Sequence, residues 1–272
     1  KRHSGLEPDR LSVTNDPTPV DIGAEIKAAE SHAFKAWPAE ACVGLGGWVQ
    51  RRTPGARTRR TNSVCANALS DGYDVDDLII QVEAFYRLHN LLPRFQISPA
   101  VEPSDLDARL EARGYTLEAP TLVQWAKSTD VQNATPEAGD LHNVDTRSTG
   151  WNTVHRDASI SDEDLSARNA IIDRITAKKA LMLVERDGKA AAIGLGVFEG
   201  GWCGIFCMHT LSLYRRRGLA DRVLALLVDW TEQQGGTNLY LQVEQDNTIA
   251  QSFYAARGFT TAYGYHYRTL FN

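Results

Sequence analysis

The chain of 272 residues is 43% hydrophobic and 23% charged, a balance that buries a core without help from disulfides or metal. Its net charge of −5 and pI near 5.8 set up no field favouring nucleic acid or an anionic membrane. Arg, Asp or Gly interrupts every apolar run before the ~18 residues a membrane span needs. No charged-then-apolar signal segment opens the sequence; the first twenty residues are polar and Pro-bearing. It starts on Lys1 rather than Met, which leaves the natural N-terminus undefined.

In chain order, Trp37-Pro38 and Gly46-Gly47-Trp48 read as core and turn features, with an aromatic able to contact substrate if a cleft lies nearby. Arg51 to Arg60 holds five arginines in ten residues. With no interleaved aromatics, in an acidic chain, the run reads as a hairpin around Pro54-Gly55 with solvated arginines rather than as a nucleic-acid patch. A helix is expected from Asp77, a strand over Arg94–Ser98, a helix over Asp105–Arg113 ending at Gly114, and a strand near Thr121–Trp125. The polar stretch from Ser128 to Thr149 reads as a linker.

The second half begins as a meander. Ala180–Arg186 and Ala190–Phe198 form a hairpin about Asp187-Gly188, and Glu199-Gly200-Gly201 turns into a third strand, Trp202–Ser212. Helix Leu219–Glu232, strand Leu239–Val243, helix Ile249–Arg257 and strand Tyr263–Leu270 follow. The halves echo each other: Leu110-Glu-Ala-Arg-Gly-Tyr115 matches Tyr254-Ala-Ala-Arg-Gly-Phe259 at an offset of 144 residues (254 − 110). At that offset Leu78–Leu88 falls on Arg222–Glu232, which indicates an internal duplication. The cysteines, Cys42, Cys65, Cys203 and Cys207, lack metal-ligand spacing and read as small buried residues in a reducing, cytoplasmic setting. Alternation puts Cys203, Ile205, Cys207 and His209 on one strand face.

The chemistry concentrates in Ser212-Leu-Tyr-Arg-Arg-Arg-Gly-Leu-Ala-Asp-Arg-Val-Leu224, where a strand ends, a basic turn with one Gly follows, and an amphipathic helix begins. The first N–H groups of a helix lack internal partners, and its dipole favours an anion there. Gly218 and Ala220 carry no bulk to keep a diphosphate off the backbone, and Arg215, Arg216 and Arg217 surround it with charge.

These residues resemble the GNAT superfamily of acyl-CoA N-acyltransferases. Its signature, Gln/Arg-x-x-Gly-x-Gly/Ala, is met by Arg215, Gly218 and Ala220. Its later Asn-x-x-Ala-x-x-Leu-Tyr-x-x-x-Gly-Phe element is met from Asn247 to Phe259, with Phe253 in place of Leu. Ser212 stands where the family often has Pro. The resemblance covers roughly 145–272. It implies that the backbones of Leu211 and Leu213 pair with the pantetheine arm, and that amides from Arg216 through Gly218, Leu219 and Ala220 hold the diphosphate. Asn247 would lie beside the cosubstrate where the central strands splay. Tyr254 would be the general acid toward the departing thiolate. Glu244 and His209 are the candidates for general base; a solvated strand-end carboxylate and a packed histidine are their plainer readings.

The first half has no such signature. Asn62-Ser-Val-Cys-Ala-Asn-Ala68 stands in its place, before an acidic loop (Asp71, Asp74, Asp76, Asp77) that would repel a diphosphate. The expectation is therefore an α+β protein of two GNAT-like domains, each a mixed, mostly antiparallel sheet flanked by helices. A degenerate copy spans 1–128, a linker 129–144, and a catalytic copy 145–272. The expected activity is direct transfer of acetyl from acetyl-CoA, as cosubstrate, to a primary amine on a small molecule or peptide, without metal, nucleic acid or membrane. A non-catalytic acyl-CoA-binding protein is the alternative.

Overall fold

The computed structural model describes residues 22–131, 144–146 and 148–271. The polar N-terminal segment and residues 132–143 of the expected linker lie outside them. The first half runs α1 (Ile22–Ala36), β1 (Ala41–Leu45), β2 (Trp48–Arg52), β3 (Val64–Cys65), α2 (Val75–Leu88), β4 (Arg94–Ile97), α3 (Leu106–Ala112) and β5 (Thr116–Lys127). The β1–β2 turn is made by Gly46 and Gly47, at φ 57° and 94°, a region only glycine enters freely. Trp48 then enters the core fully buried, its indole N–H donating to the Glu102 carbonyl at 2.9 Å.

The second half runs α4 (Thr149–Asp157), α5 (Asp162–Arg174), β6 (Lys178–Arg186), β7 (Lys189–Glu199), β8 (Trp202–Thr210), α6 (Leu219–Gln233), β9 (Asn238–Glu244), α7 (Thr248–Ala255) and β10 (Thr260–Thr269). The strands lie where the alternation and turn residues place them, with Asp187-Gly188 closing β6 on β7. Helix α6 buries Leu219, Val223, Leu226, Leu227 and Trp230 against the sheet, each large side chain contributing about 1.5–3 kcal/mol. Its approach to β7 depends on Gly194, where an added Cβ would meet Val223 Cγ1 at 2.5 Å.

The protein is α+β with a mixed sheet, as expected, but the two sheets are one. The order is β1-β2-β3-β4-β10-β5-β9-β8-β7-β6. The halves have exchanged their last strands: β10 sits between β4 and β5, and β5 sits between β10 and β9. Each exchanged strand fills the open edge beside the other half's short parallel pair, β3–β4 or β8–β9, so no inner edge is left unpaired. Tyr263, Tyr265 and Tyr267 of β10 are buried at this junction.

The internal echo extends to whole elements. Adding 144 carries α2 (75–88) onto 219–232, β4 (94–97) onto 238–241, α3 (106–112) onto 250–256 and β5 (116–127) onto 260–271. These ranges fall on α6, β9, α7 and β10. Among the described residues no helix is long and apolar enough to cross a membrane.

Candidate active site

Strands β8 and β9 run parallel and pair only as far as Ile205 with Leu241. Beyond that pair β8 continues to Thr210 and β9 to Glu244, and two cavities open into the gap. A bulge decides what β8 presents to them. Cys207 has φ 53°, and the β7–β8 register slips between Ile193 and Leu195. A one-residue slip inverts the faces of everything after it. Cys203 and Ile205 therefore pack on the α6 side, whereas His209 reaches α4 on the other. The single face expected for Cys203, Ile205, Cys207 and His209 does not exist. The bulge is what turns the histidine toward the cleft.

The first cavity, about 720 Å³, lies at the head of α6 and is lined by Arg215, Arg216, Gly218, Leu219, Ala220 and Asp221. Gly218 is the N-cap in the left-handed conformation, φ 76°, and no side chain caps the helix. The first amides of α6 thus remain available to an outside acceptor. No atom comes within 4 Å of a Cβ built on Gly218, so the backbone angle, rather than lack of bulk, makes glycine necessary. Asp221 would repel an anion here, but the Arg257 guanidinium binds its carboxylate.

Arg215 donates its Nε–H to the Thr210 carbonyl at 3.1 Å, while Arg217 sits 5.9 Å from the Tyr214 ring centroid and is not among the lining residues. Both backbone groups of Leu211 are engaged within the protein. Its N–H donates to Ala191 at 2.9 Å and its carbonyl accepts from Tyr214 at 2.8 Å. Leu213 belongs to a short 3-10 turn, Ser212–Tyr214, and its side chain is largely exposed. Because alternate residues of an antiparallel strand direct their backbone groups to opposite edges, Met208 and Thr210 present theirs to the gap. Both line the first cavity.

The second cavity, about 400 Å³, opens on the other side of the same wall. It is bordered by Trp37, Thr58 and Arg60 from the first half and by His155, Arg168 and Glu244 from the second. Tyr254, His209, Met208, Asn247 and Ala250 line both cavities. Asn247 also caps α7, its Oδ1 accepting from the Ala250 N–H at 3.1 Å. Tyr254 is packed edge-on against Phe253 and Phe259, and burial pushes its phenol well above the usual range. Its hydroxyl has no hydrogen-bond partner among the described residues.

His209 Nε2 lies 2.8 Å from Asp157 Oδ2 at the end of α4. Glu244 lines only the second cavity, half exposed, with Arg59 Nη1 at 3.4 Å. His155 is buried, and desolvation lowers its pKa to about 4. Its Nδ1 lies 3.0 Å from Asn169 Oδ1, while Asn169 Nδ2 donates to Asn152 at 2.7 Å. That orientation of Asn169 makes Nδ1 the protonated nitrogen, and Nε2 is left without a partner.

Sequence reasoning named Tyr254, His209, Glu244, Asn247 and the arginine turn, but missed Asp157, His155 and Arg168 because it did not identify α4 and α5. A signal existed: Ser161 caps α5 and Asp164 stands three residues on, with the Ser161 hydroxyl accepting from the Asp164 N–H at 3.1 Å, a capping-box spacing. The arginine run also differs from expectation. Although β2 and β3 pair as a hairpin would, Arg51 is buried on Ser63 and Gln96, the Arg57 amide donates to Asp164, and Arg59 bridges Glu118 and Glu244. The loop docks onto the second half instead of standing in solvent.

A sequence model of the family described as "Probable histone acetyltransferase Rv0428c C-terminal" matches residues 23–268. The chain is 26% identical over 255 residues to the uncharacterized N-acetyltransferase YobR of Bacillus subtilis (strain 168), covering 90% of this chain and 98% of that one. Among solved structures, the GCN5-related N-acetyltransferase from Kribbella flavida superposes with a TM-score of 0.65 at 16% identity, over 91% of this chain and 95% of that one. A tandem GNAT protein from the clavulanic acid biosynthesis pathway gives a TM-score of 0.55 at 11% identity, covering 75% and 72% respectively. Both structures share the fold.

Proposed function

The chain belongs to the acetyltransferase family described as "Probable histone acetyltransferase Rv0428c C-terminal", of GNAT type, and from that premise we propose that it moves the acetyl group of acetyl-CoA directly onto a primary amine. The observation that carries this reading is the shared wall. Tyr254 and His209 border both a cavity headed by the open amides of α6 and a second cavity large enough for a small acceptor.

The residues present fit acetyl-CoA. Amides of Leu219, Ala220 and Asp221 would bind the diphosphate with Arg215 and Arg216, while the edge at Met208 and Thr210, where the Thr210 carbonyl already accepts from Arg215, would take the pantetheine amides as an added strand does. Bound there, acetyl-CoA supplies an acyl group already activated as a thioester. His209, its ring oriented by Asp157, removes a proton from the incoming ammonium and frees the nitrogen lone pair for attack on the acyl carbon. We assign the base to His209 rather than Glu244 because His209 borders both cavities, whereas Glu244 borders one and is engaged by Arg59.

As the C–N bond forms and the C–S bond breaks, Tyr254 gives its phenolic proton to the departing sulfur. A phenol is protonated at neutral pH, so the proton is in place when the thiolate appears. The second N–H proton, shed as the amide forms, replaces the one Tyr254 gave. The first half we assign as a degenerate copy that does not bind acetyl-CoA, and its remaining service is Trp37, Thr58 and Arg60 in the acceptor wall. The histone acceptor in the family's description is one possible amine among several classes.

Thiol release from acetyl-CoA in the presence of an amine panel tests the proposal. Turnover by wild-type protein that collapses in Tyr254→Phe, with acetyl-CoA still bound, supports it. Binding of acetyl-CoA with no turnover of any amine would favour a non-catalytic acyl-CoA-binding protein.

A further inference from the structure

Resting on the acetyltransferase reading above, we propose that the acceptor is a small amine bearing a carboxylate, whose anionic end is received by Arg60 and Arg168 in the second cavity. The protein leaves two donors in this cavity unanswered. Arg60 comes from the loop between β2 and β3 and lies over the Phe206 ring at 5.7 Å. Its contact with a polar group is the Tyr265 hydroxyl at 3.5 Å, its Nε is buried without a partner, and no carboxylate lies within ion-pair distance among the described residues. A buried N–H donor without an acceptor is costly to the free protein.

Gln242 adds a second unanswered donor. The Tyr265 hydroxyl donates to its Oε1 at 2.9 Å, which fixes the side-chain amide and leaves Nε2 buried without a partner. Both residues line the same cavity. A ligand that satisfies them must bring acceptor oxygens rather than donors, and a carboxylate brings two.

The charges around the cavity point the same way. Arg168 holds Asp164 through its Nε at 2.9 Å, and Asp164 also accepts from the Arg57 and Ile160 amides, so that carboxylate is already shared. The carboxylate lining the cavity, Glu244, is engaged by Arg59. His155 is neutral, with a pKa near 4, and its unpartnered Nε2 is an acceptor suited to an amine N–H. The cavity thus has cationic, donor-rich groups for an anion, and imidazoles for the amine. A second positive charge on the acceptor would instead face Arg60. At about 400 Å³ the space matches the small end of ligand cavities, roughly 300–1,000 Å³.

The test pairs turnover with binding. Glycine, β-alanine and γ-aminobutyrate are compared with ethylamine, propylamine, butylamine and putrescine as acceptors, and with phosphoethanolamine to separate carboxylate from phosphate. Propionate, butyrate and the amino carboxylates are titrated calorimetrically into CoA-loaded protein. At least one amino carboxylate should exceed its matched alkylamine by about tenfold or more in kcat/KM, mainly through KM, and should bind the CoA-loaded protein. Arg60→Gln should erase both effects and Arg60→Lys should restore part of them, with acetyl-CoA affinity unchanged as the check on folding. Equal or better turnover of alkylamines or putrescine, preference for phosphoethanolamine, or no carboxylate binding to CoA-loaded protein would overturn the inference and leave the acetyltransferase reading standing. Failure of acetyl-CoA to bind would remove that reading and this one with it.

Discussion

Asp74 and Gly218 stand 144 residues apart (218 − 74), at the heads of equivalent helices, and cap them in opposite ways. Asp74 folds its carboxylate onto the amides of Asp76 and Asp77, at 2.9 and 3.0 Å. Gly218 has no side chain to do so and adopts a left-handed φ of 76°. One half therefore answers its helix N-terminus with its own negative charge, and the other leaves it for a ligand. Asp76 and Asp77 add to the difference, since they keep the first turn of α2 acidic whatever stands at position 74.

Removing the Asp74 cap should cost stability without creating a second site. Asp74→Ala is expected to lower unfolding free energy by about 0.5–2 kcal/mol, read from urea denaturation. Acetyl-CoA should still bind once per chain, because Asp76 and Asp77 keep the first turn of α2 acidic.

Tyr254→Phe keeps the ring packed between Phe253 and Phe259 and deletes only the hydroxyl. The expected result is a fall in kcat of about 10²–10⁴-fold, with acetyl-CoA affinity held within about twofold, a bound we set from the absence of any hydrogen bond to lose.

His209→Gln should reduce kcat by about 10²-fold or more, and Asp157→Asn should reduce it in the same direction by less, since it removes the group that orients the ring. Steady-state kinetics against acetyl-CoA and amine separately should place both losses in kcat, with the KM for acetyl-CoA little changed. Glu244→Gln is expected to keep most of the activity; a loss as deep as that of His209→Gln would move the base to Glu244.

His155 ties stability to pH. Its pKa is lowered by burial to about 4, against 6.5 for the free side chain. Between those values the unfolded chain binds the proton that the folded protein refuses. Stability is therefore full above pH 6.5 and declines as the pH falls toward 4, by on the order of 3 kcal/mol from this group. Denaturation midpoints measured across that window should fall with pH in wild-type protein and fall less steeply in His155→Gln.

The elements of the second half from β6 onward were legible because their signals are local. Asp187-Gly188 closes a hairpin, apolar residues repeat through α6, and Gly218 follows three arginines. What stayed hidden depends on partners far along the chain. The periodicity of β5 and β10 marks both as strands, but nothing within either says that it crosses to the other half; the open edges beside β4 and β9 decide that. The Cys207 bulge is invisible for a related reason, since a residue that tolerates either register carries no mark of the slip. It shifted the backbone edge that faces the gap from Leu211 to Met208 and Thr210 and turned His209 toward Asp157. The arginine run shows five similar residues, and only the folded chain shows that Arg60 is the one that lines the second cavity, with its Nε unpartnered.

The most direct measurement is calorimetric titration of acetyl-CoA into wild-type protein and into Gly218→Asp, which places the side chain of Asp74 at the equivalent position of α6. One acetyl-CoA should bind per wild-type chain, and binding should be abolished in a variant that remains folded by circular dichroism. No binding to folded wild-type protein, two molecules per chain, or undiminished binding to Gly218→Asp would contradict a single acetyl-CoA site at the head of α6.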